Sequence, residues 1–195
     1  MKQIFQSIKN GETFFIDTPS PRIKANEVLI KTEYSLISSG TERMLVDFGK
    51  GTILEKAKQQ PDKVKEVINK ARTDGIFSTV EAVRNKLNDP LPLGYCNVGK
   101  IIEIGDSVKN FKIGDRVVSN GPHAEIVSVS EMLCAKIPSN VISQEACFTV
   151  LGSIGLQGIR LANPTLGEVF VVSGLGLIGL LTAQILLAQG CIVLG

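Results

Sequence analysis

The sequence predicts a mixed α/β chain: a small barrel-like β domain interrupted by a helical hairpin, then the opening βαβ unit of a doubly wound α/β domain. Three observations lead there. Short runs of period two, punctuated by glycines, fill the first third and resume after Asp89-Pro90, as in a small barrel or twisted sheet. Between them, from about Thr52 to Leu87, the apolar spacing becomes helical and lysines accumulate. Finally, Val169 to Gly195 carries no charged residue and is broken by clustered glycines.

The elements follow in order. Gln3-Ile4-Phe5 and Thr13-Phe14-Phe15-Ile16 flank Asn10-Gly11, a hairpin signal. After the turn-like Pro19-Ser20-Pro21, Val28, Ile30, Thr32 and Tyr34 alternate with Leu29, Lys31 and Glu33, which makes a strand. Ser38-Ser39-Gly40-Thr41-Glu42 reads as a loop leading into a short apolar turn, Met44-Leu45-Val46. Val64, Val67, Ile68 and Ala71 sit at helical spacing, with Pro61 in the first turn and Asp74-Gly75 as the stop. A second helix is expected to open at Ser78, where Glu81 completes a capping-box pattern and Val80, Val83 and Leu87 line one face.

Strands then resume at Val98–Gly105, Lys112–Val118 and Ala124–Val129, and Ile137-Pro138 closes the region. Ser143 to Ala162 reads as a helical segment leading to Pro164. The boundaries that follow are 1–142 for the first domain, with its helical insertion at about 52–88, and 143–195 for a linker helix and an incomplete second domain.

The 195 residues are 44% hydrophobic and 21% charged, with a formal net charge of +2, which is globular rather than disordered. No basic stripe with interleaved aromatics occurs and Trp is absent, so a nucleic-acid partner is not expected. Cys96, Cys134, Cys147 and Cys191 form no C-x-x-C pair, and no signal-peptide core follows Met1. Reduced thiols in a cytoplasmic protein are the expectation.

The uncharged tail must be tested as a membrane span, which needs roughly 20 apolar residues. Val169-Phe170-Val171-Val172 is β-rich, however, and Gly174-Leu175-Gly176-Leu177-Ile178-Gly179 interrupts the run. Thr182, Gln184 and Gln189 follow in a helical stretch, Gly190 ends it, and Cys191–Leu194 is strand-like again. No Lys or Arg cluster anchors a span. Strand, turn, helix and strand make a βαβ unit, and burial of its strands on both faces would explain the missing charge without lipid.

The turn has the G-x-G-x-x-G spacing of a dinucleotide fingerprint. Gly174 permits the tight turn, Gly176 lets the backbone approach a pyrophosphate, and Gly179 lets helix and strand pack closely. With Leu175 and Ile178 these are the candidate cofactor-binding residues; the alternative is a plain Gly-rich turn in an α/β core. The acidic residue expected ~20 residues beyond the glycines does not occur before Gly195, so NAD and NADP both remain open.

Glu27-Val28-Leu29-Ile30-Lys31, Ser39-Gly40-Thr41-Glu42, Leu93-Gly94, Gly99 to Gly105 and Gly114-Asp115-Arg116-Val117 precede that fingerprint in this order. In that order the chain resembles the medium-chain dehydrogenase/reductase superfamily, the zinc alcohol dehydrogenase-like enzymes. The resemblance implies a GroES-like β-barrel domain with an inserted helical hairpin, followed by the truncated start of a Rossmann fold, with an active site in the cleft between the two domains. The hairpin before Leu91-Pro92-Leu93-Gly94-Tyr95 resembles a threonine dehydrogenase-like, bi-domain oxidoreductase branch associated with surface polysaccharides.

The zinc chemistry of that superfamily is not expected to carry over. Where its zinc members have Cys, His and Glu, this chain has Ser39, Tyr95 and Cys96, and the remaining Cys ligand falls near Thr149. A catalytic zinc needs three protein ligands of the Cys, His or carboxylate type. Thr41 matches the hydroxyl that relays the substrate proton in zinc members; alternatively, Ser39 or Thr41 simply N-caps the turn that follows. Glu42 would orient Thr41 or carry only surface charge. Tyr95 would donate to a carbonyl oxygen in place of the metal, or pack its ring and bond the backbone. His123, the only histidine, reads as a surface or rim residue.

The expectation is therefore a zinc-independent, NAD(P)-dependent oxidoreductase acting on a small molecule, sugar-linked by the branch resemblance, with Thr41, Glu42 and Tyr95 as candidate catalytic residues. A homo-oligomer or a missing C-terminal portion is expected as partner. Two alternatives stand beside it: a non-catalytic cofactor-binding or interaction module, and an inactive fragment that binds cofactor weakly.

Overall fold

The computed structural model describes residues 1–195, with Ile53, Asp74, Ile76 and Phe77 described by backbone alone. In chain order the elements begin with β1 (Lys2–Gln6), β2 (Thr13–Asp17), β3 (Glu27–Ser35), α1 (Ser39–Lys50), α2 (Ile53–Gln59), α3 (Pro61–Asp74) and α4 (Ile76–Asn88). There follow β4 (Leu91–Pro92), β5 (Asn97–Ile104), β6 (Arg116–Ser119), β7 (Ile126–Ser130), β8 (Cys134–Lys136), α5 (Ser143–Ala146) and α6 (Thr149–Ala162). The chain closes with β9 (Val169–Val171), α7 (Leu177–Ala188) and β10 (Ile192–Leu194). The mixed α/β class is the one the sequence predicts. The chain divides into two compact units, one of residues 1, 18–40 and 94–195, the other of residues 2–17 and 41–93.

The first unit is built on a five-stranded antiparallel sheet in the order β7-β3-β5-β6-β8. Alternation sets its core: Val28, Ile30, Ile101, Val117, Val127 and Val129 bury one face together with Ala124. Val98 and Val118 point the other way and pack with Ile137, Ala146 and Cys147 at α5. The strand expected over Lys112–Val118 is shorter, because Lys112–Asp115 forms a turn instead. There the Lys112 N–H donates to Asp115 Oδ2 at 3.0 Å and the Asp115 N–H to the Lys112 carbonyl at 3.1 Å. Those bonds occupy the groups a ladder would need.

The same unit carries the βαβ tail. β9 and β10 pair in parallel, Ile192 opposite Val169 and Leu194 opposite Val171. Ile159, Leu186 and Cys191 are buried, with Phe170, Val172, Ile185 and Val193 packed against them. Burial on both faces, expected from the missing charge, is not what forms: Val169, Val171, Ile192 and Leu194 are exposed. In strands of period two, only the face turned toward the helices is covered. No helix among the described residues is long and apolar enough to cross a membrane.

In the second unit β1 pairs with β2 from Lys2 opposite Asp17 to Gln6 opposite Thr13, and β4 adds to β1. The expected loop and short turn around Ser39–Val46 is in fact the helix α1. The helix runs through the local breaker signal of Ser38-Ser39-Gly40 and buries Glu42 and Gly49. The buried Lys56 ammonium anchors its end, donating to the Gly49 carbonyl at 2.9 Å and to the Lys9 carbonyl at 3.1 Å.

Pro61 and Asp74 bound α3 as expected. The capping box forms elsewhere. Gly75, at φ 89°, already starts α4 at Ile76, so Ser78 lies inside the helix and its hydroxyl donates back to the Gly75 carbonyl at 3.0 Å. The box is at Thr52 and Glu55, where the Thr52 N–H donates to Glu55 Oε2 at 2.7 Å and the Glu55 N–H to Thr52 Oγ1 at 3.3 Å.

Candidate functional site: the glycine turn and the polar end of the sheet

The glycine turn joins β9 to α7, and its three glycines do different things. Gly174 has φ 92°, a backbone region that side chains rarely adopt. At Gly179 a methyl group would overlap the Gly174 carbonyl oxygen, so the helix could not seat on the turn. Gly176 has an ordinary extended backbone, φ −74° and ψ −171°, and a methyl there would meet nothing within 4 Å. The fold requires glycine at 174 and 179 but not at 176.

Gly176 is also the N-cap of α7, and no side chain caps that helix. The first backbone bond back to the turn is from Leu180 N–H to the Gly176 carbonyl at 2.9 Å. The preceding N–H groups of the first turn carry the positive end of the helix dipole. An exposed, unobstructed approach to such N–H groups fits the pyrophosphate of a dinucleotide. Leu175 is exposed and lies over Gly195, where a methyl would come within 2.8 Å of its Cδ2. Ile178 is half-buried. Behind the turn, α7 packs on α6 at Gly155, where a methyl would fall 2.5 Å from Thr182 Oγ1.

Tyr95 is half-buried and follows Gly94, which has φ 90°. Cys96 is fully buried, and its carbonyl accepts from Leu36 N–H at 2.9 Å. Thr41 and Glu42 belong to the second unit, Tyr95 to the first. Ser39 is the first residue of α1 and Thr41 the third, so neither is the N-cap that the sequence suggested as an alternative. Glu42 is buried, which overturns the reading of it as surface charge alone. Thr149, the first residue of α6, is exposed.

His123 corrects another expectation. It is no rim residue: it is 5% exposed, with Nδ1 2.8 Å from Ser35 Oγ. Ser35, Asn97 and Ser119 stand opposite one another across β3, β5 and β6, a polar row at the end of the apolar core face. Asn97 Nδ2 donates to Thr32 Oγ1 at 2.8 Å, while Asn97 Oδ1 is the one buried side-chain N or O without a partner among the described residues. Sequence reasoning missed this row, because each member is an ordinary polar residue until the register aligns them.

Among the described residues no three His, Cys, Asp or Glu side chains stand close enough to hold a metal ion. Burial, with Glu131 nearby, pushes the Cys134 thiol up to about 12, and burial raises that of Cys147. Neither offers a thiolate at neutral pH.

Known proteins resemble this chain in sequence and in fold. The sequence is 26% identical to the (R,R)-butanediol dehydrogenase of Bacillus subtilis (strain 168) over 176 residues, covering 70% of this chain and 51% of the relative. It is 29% identical to the D-guloside 3-dehydrogenase of Escherichia coli (strain K12) over 174 residues, covering 88% and 47%. The chain thus spans about half the length of these curated relatives. The crystal structure of Escherichia coli quinone oxidoreductase complexed with NADPH shares the fold, with a TM-score of 0.69 at 16% identity, covering 99% of this chain and 51% of that one. The profile of the alcohol dehydrogenase GroES-like domain matches residues 66–174, more than half the sequence. The chain therefore belongs to the alcohol dehydrogenase GroES-like family of the medium-chain dehydrogenase/reductase superfamily.

Proposed function

We propose that this chain serves a zinc-independent, NAD(P)-dependent oxidoreductase that interconverts an alcohol and a carbonyl. The observation that carries the reading is Gly176: the fold does not need glycine there, yet the space a side chain would fill is open beside the uncapped N–H groups of α7. That combination suits a bound pyrophosphate. The nicotinamide, when bound, supplies the hydride chemistry.

The chain's own residues supply the rest. Tyr95 donates a hydrogen bond to the carbonyl oxygen on which negative charge develops. Thr41 passes the substrate proton, and buried Glu42 orients it. Zinc independence is supported by the donor set: Ser39, Tyr95 and Thr149 offer hydroxyls where a zinc site needs thiolate, imidazole or carboxylate. A small polyhydroxylated or sugar-linked substrate is supported by the relatives, one named for a butanediol and one for a guloside.

The test is direct. The protein is mixed with NADH or NADPH and a panel of carbonyl compounds, and oxidation is followed by absorbance. Tyr95→Phe and Thr41→Val are each expected to lower kcat by roughly 10²-fold or more. Cofactor binding with no turnover on any carbonyl would instead identify a binding module.

A further inference from the structure

His123 lies outside the chemistry just assigned, yet it is built into the turn that presents Tyr95. A methyl at Gly94 would fall 2.6 Å from His123 Cγ and Cδ2 and 2.7 Å from Nδ1. Near-equal distances to three ring atoms put Gly94 over the face of the imidazole rather than at its edge. The ring is held in turn by the Ser35 hydroxyl at 2.8 Å from Nδ1. On the far side of Tyr95, the Cys96 carbonyl is fixed by the Leu36 N–H, and Asn97 is paired with Ser35 in the sheet register. Tyr95 is thus the one residue between two clamped points, Gly94 on the ring and Cys96 on the end of β3.

We propose that His123 is a positioning residue: its imidazole, oriented by Ser35, is the seat on which the Gly94–Cys96 turn rests, and it thereby sets the direction of the Tyr95 phenol. The proposal deepens the role given to Tyr95 and rests on that role for its catalytic consequence. Glycine at 94 follows from it, since the ring occupies the place of a Cβ and φ is positive. A flat side chain is required at 123 for the same reason. A hydrogen-bonding ring is held more tightly than an apolar one, because Ser35 removes its freedom to rotate.

The protein has one histidine and two tyrosines, so NMR reads the arrangement without ambiguity. In the unaltered chain a Gly94 Hα should be shifted upfield by the ring current and show cross-relaxation with the His123 ring. Absence of both overturns the proposal. His123→Ala should then shift or broaden the Tyr95 ring resonances while leaving those of Tyr34, whose hydroxyl is bonded by Gln144, in place. His123→Phe, which keeps a flat ring and the fold's packing, should give an intermediate Tyr95 spectrum. Unchanged Tyr95 resonances in both variants sink the idea.

In turnover, His123→Phe should lower kcat about 10-fold with KM for NAD(P)H unchanged, because the glycine turn is untouched. If Tyr95→Phe is itself fully active, the catalytic reading of Tyr95 fails. The spectra still decide whether His123 seats the turn.

Discussion

The five-stranded sheet and the βαβ tail are made from the same kinds of residue and end in opposite environments. Val28, Ile30 and Val117 are 0% exposed, whereas Val171 is 74% exposed and Ile192 and Leu194 are each 55% exposed. In the sheet, β-branched residues close a core whose two faces meet Phe111 and Ala124 on one side and α5 on the other. In the tail, the same alternation buries Phe170 and Val193 against α6 and α7 and leaves the intervening residues at the surface. The sheet thus closes a core of its own, whereas the tail covers only the face of its two strands that is turned toward α6 and α7.

Truncating a core side chain breaks or confirms that contrast most forcefully. Ile30→Ala or Ile101→Ala should cost about 2–5 kcal/mol in denaturant unfolding, from lost burial plus the cavity left behind. Val171→Ala should cost less than about 0.5 kcal/mol. Equal costs at the two places would erase the distinction.

Within the tail, the glycines should separate. Gly179→Ala drives a methyl into the Gly174 carbonyl and should cost about 1–3 kcal/mol. Gly176→Asp should cost nothing measurable, or stabilise slightly, because aspartate is a favoured N-cap. A large loss of stability at 176 would remove the argument for an open ligand site.

Acid provides a gentler probe. The Asp115 carboxyl is held below the usual carboxylate range chiefly by the Lys112 N–H, with Lys136 at 3.0 Å adding to it. Glu27 is lowered chiefly by the Ser128 hydroxyl, which donates to it at 2.8 Å. A depressed folded-state value means stabilisation that is complete above the ordinary range, ~4, and lost as pH falls through the folded value. Both groups belong to the five-stranded sheet region, and residues 169–195 contain no Asp or Glu. Between pH 5 and 2 (roughly this window), Asp115→Asn should flatten the pH dependence of unfolding. A mutant that keeps the full slope would assign the acid sensitivity elsewhere.

How far the sequence went follows the range of the interactions. The helix α3 and the order strand, turn, helix, strand of the tail were legible because periodicity, Pro61 and the glycines act within a few residues. The capping box was misplaced because Thr52-x-x-Glu55 and Ser78-x-x-Glu81 have the same pattern, and Gly75 decides which one opens a helix. α1 is hidden behind Ser38-Ser39-Gly40, whose local preference for a loop is a weak prior that the structure does not follow. The burial of His123 is not legible in the sequence for a different reason: its partner Ser35 lies 88 residues away, and nothing local marks a histidine as buried. At the site, the fingerprint residues came from spacing, whereas the proposed seat of Tyr95 rests on long-range contacts of His123 with Gly94 and Ser35.

The most direct test of the central claim, that the glycine turn is a dinucleotide site, is an NMR titration of the protein with NADH and with NADPH, carried to millimolar cofactor. Amide shift changes are expected to centre on residues 174–180 and to disappear in Gly176→Asp while that variant keeps its full stability. Shift changes located elsewhere, or changes at the turn that survive Gly176→Asp, would contradict it.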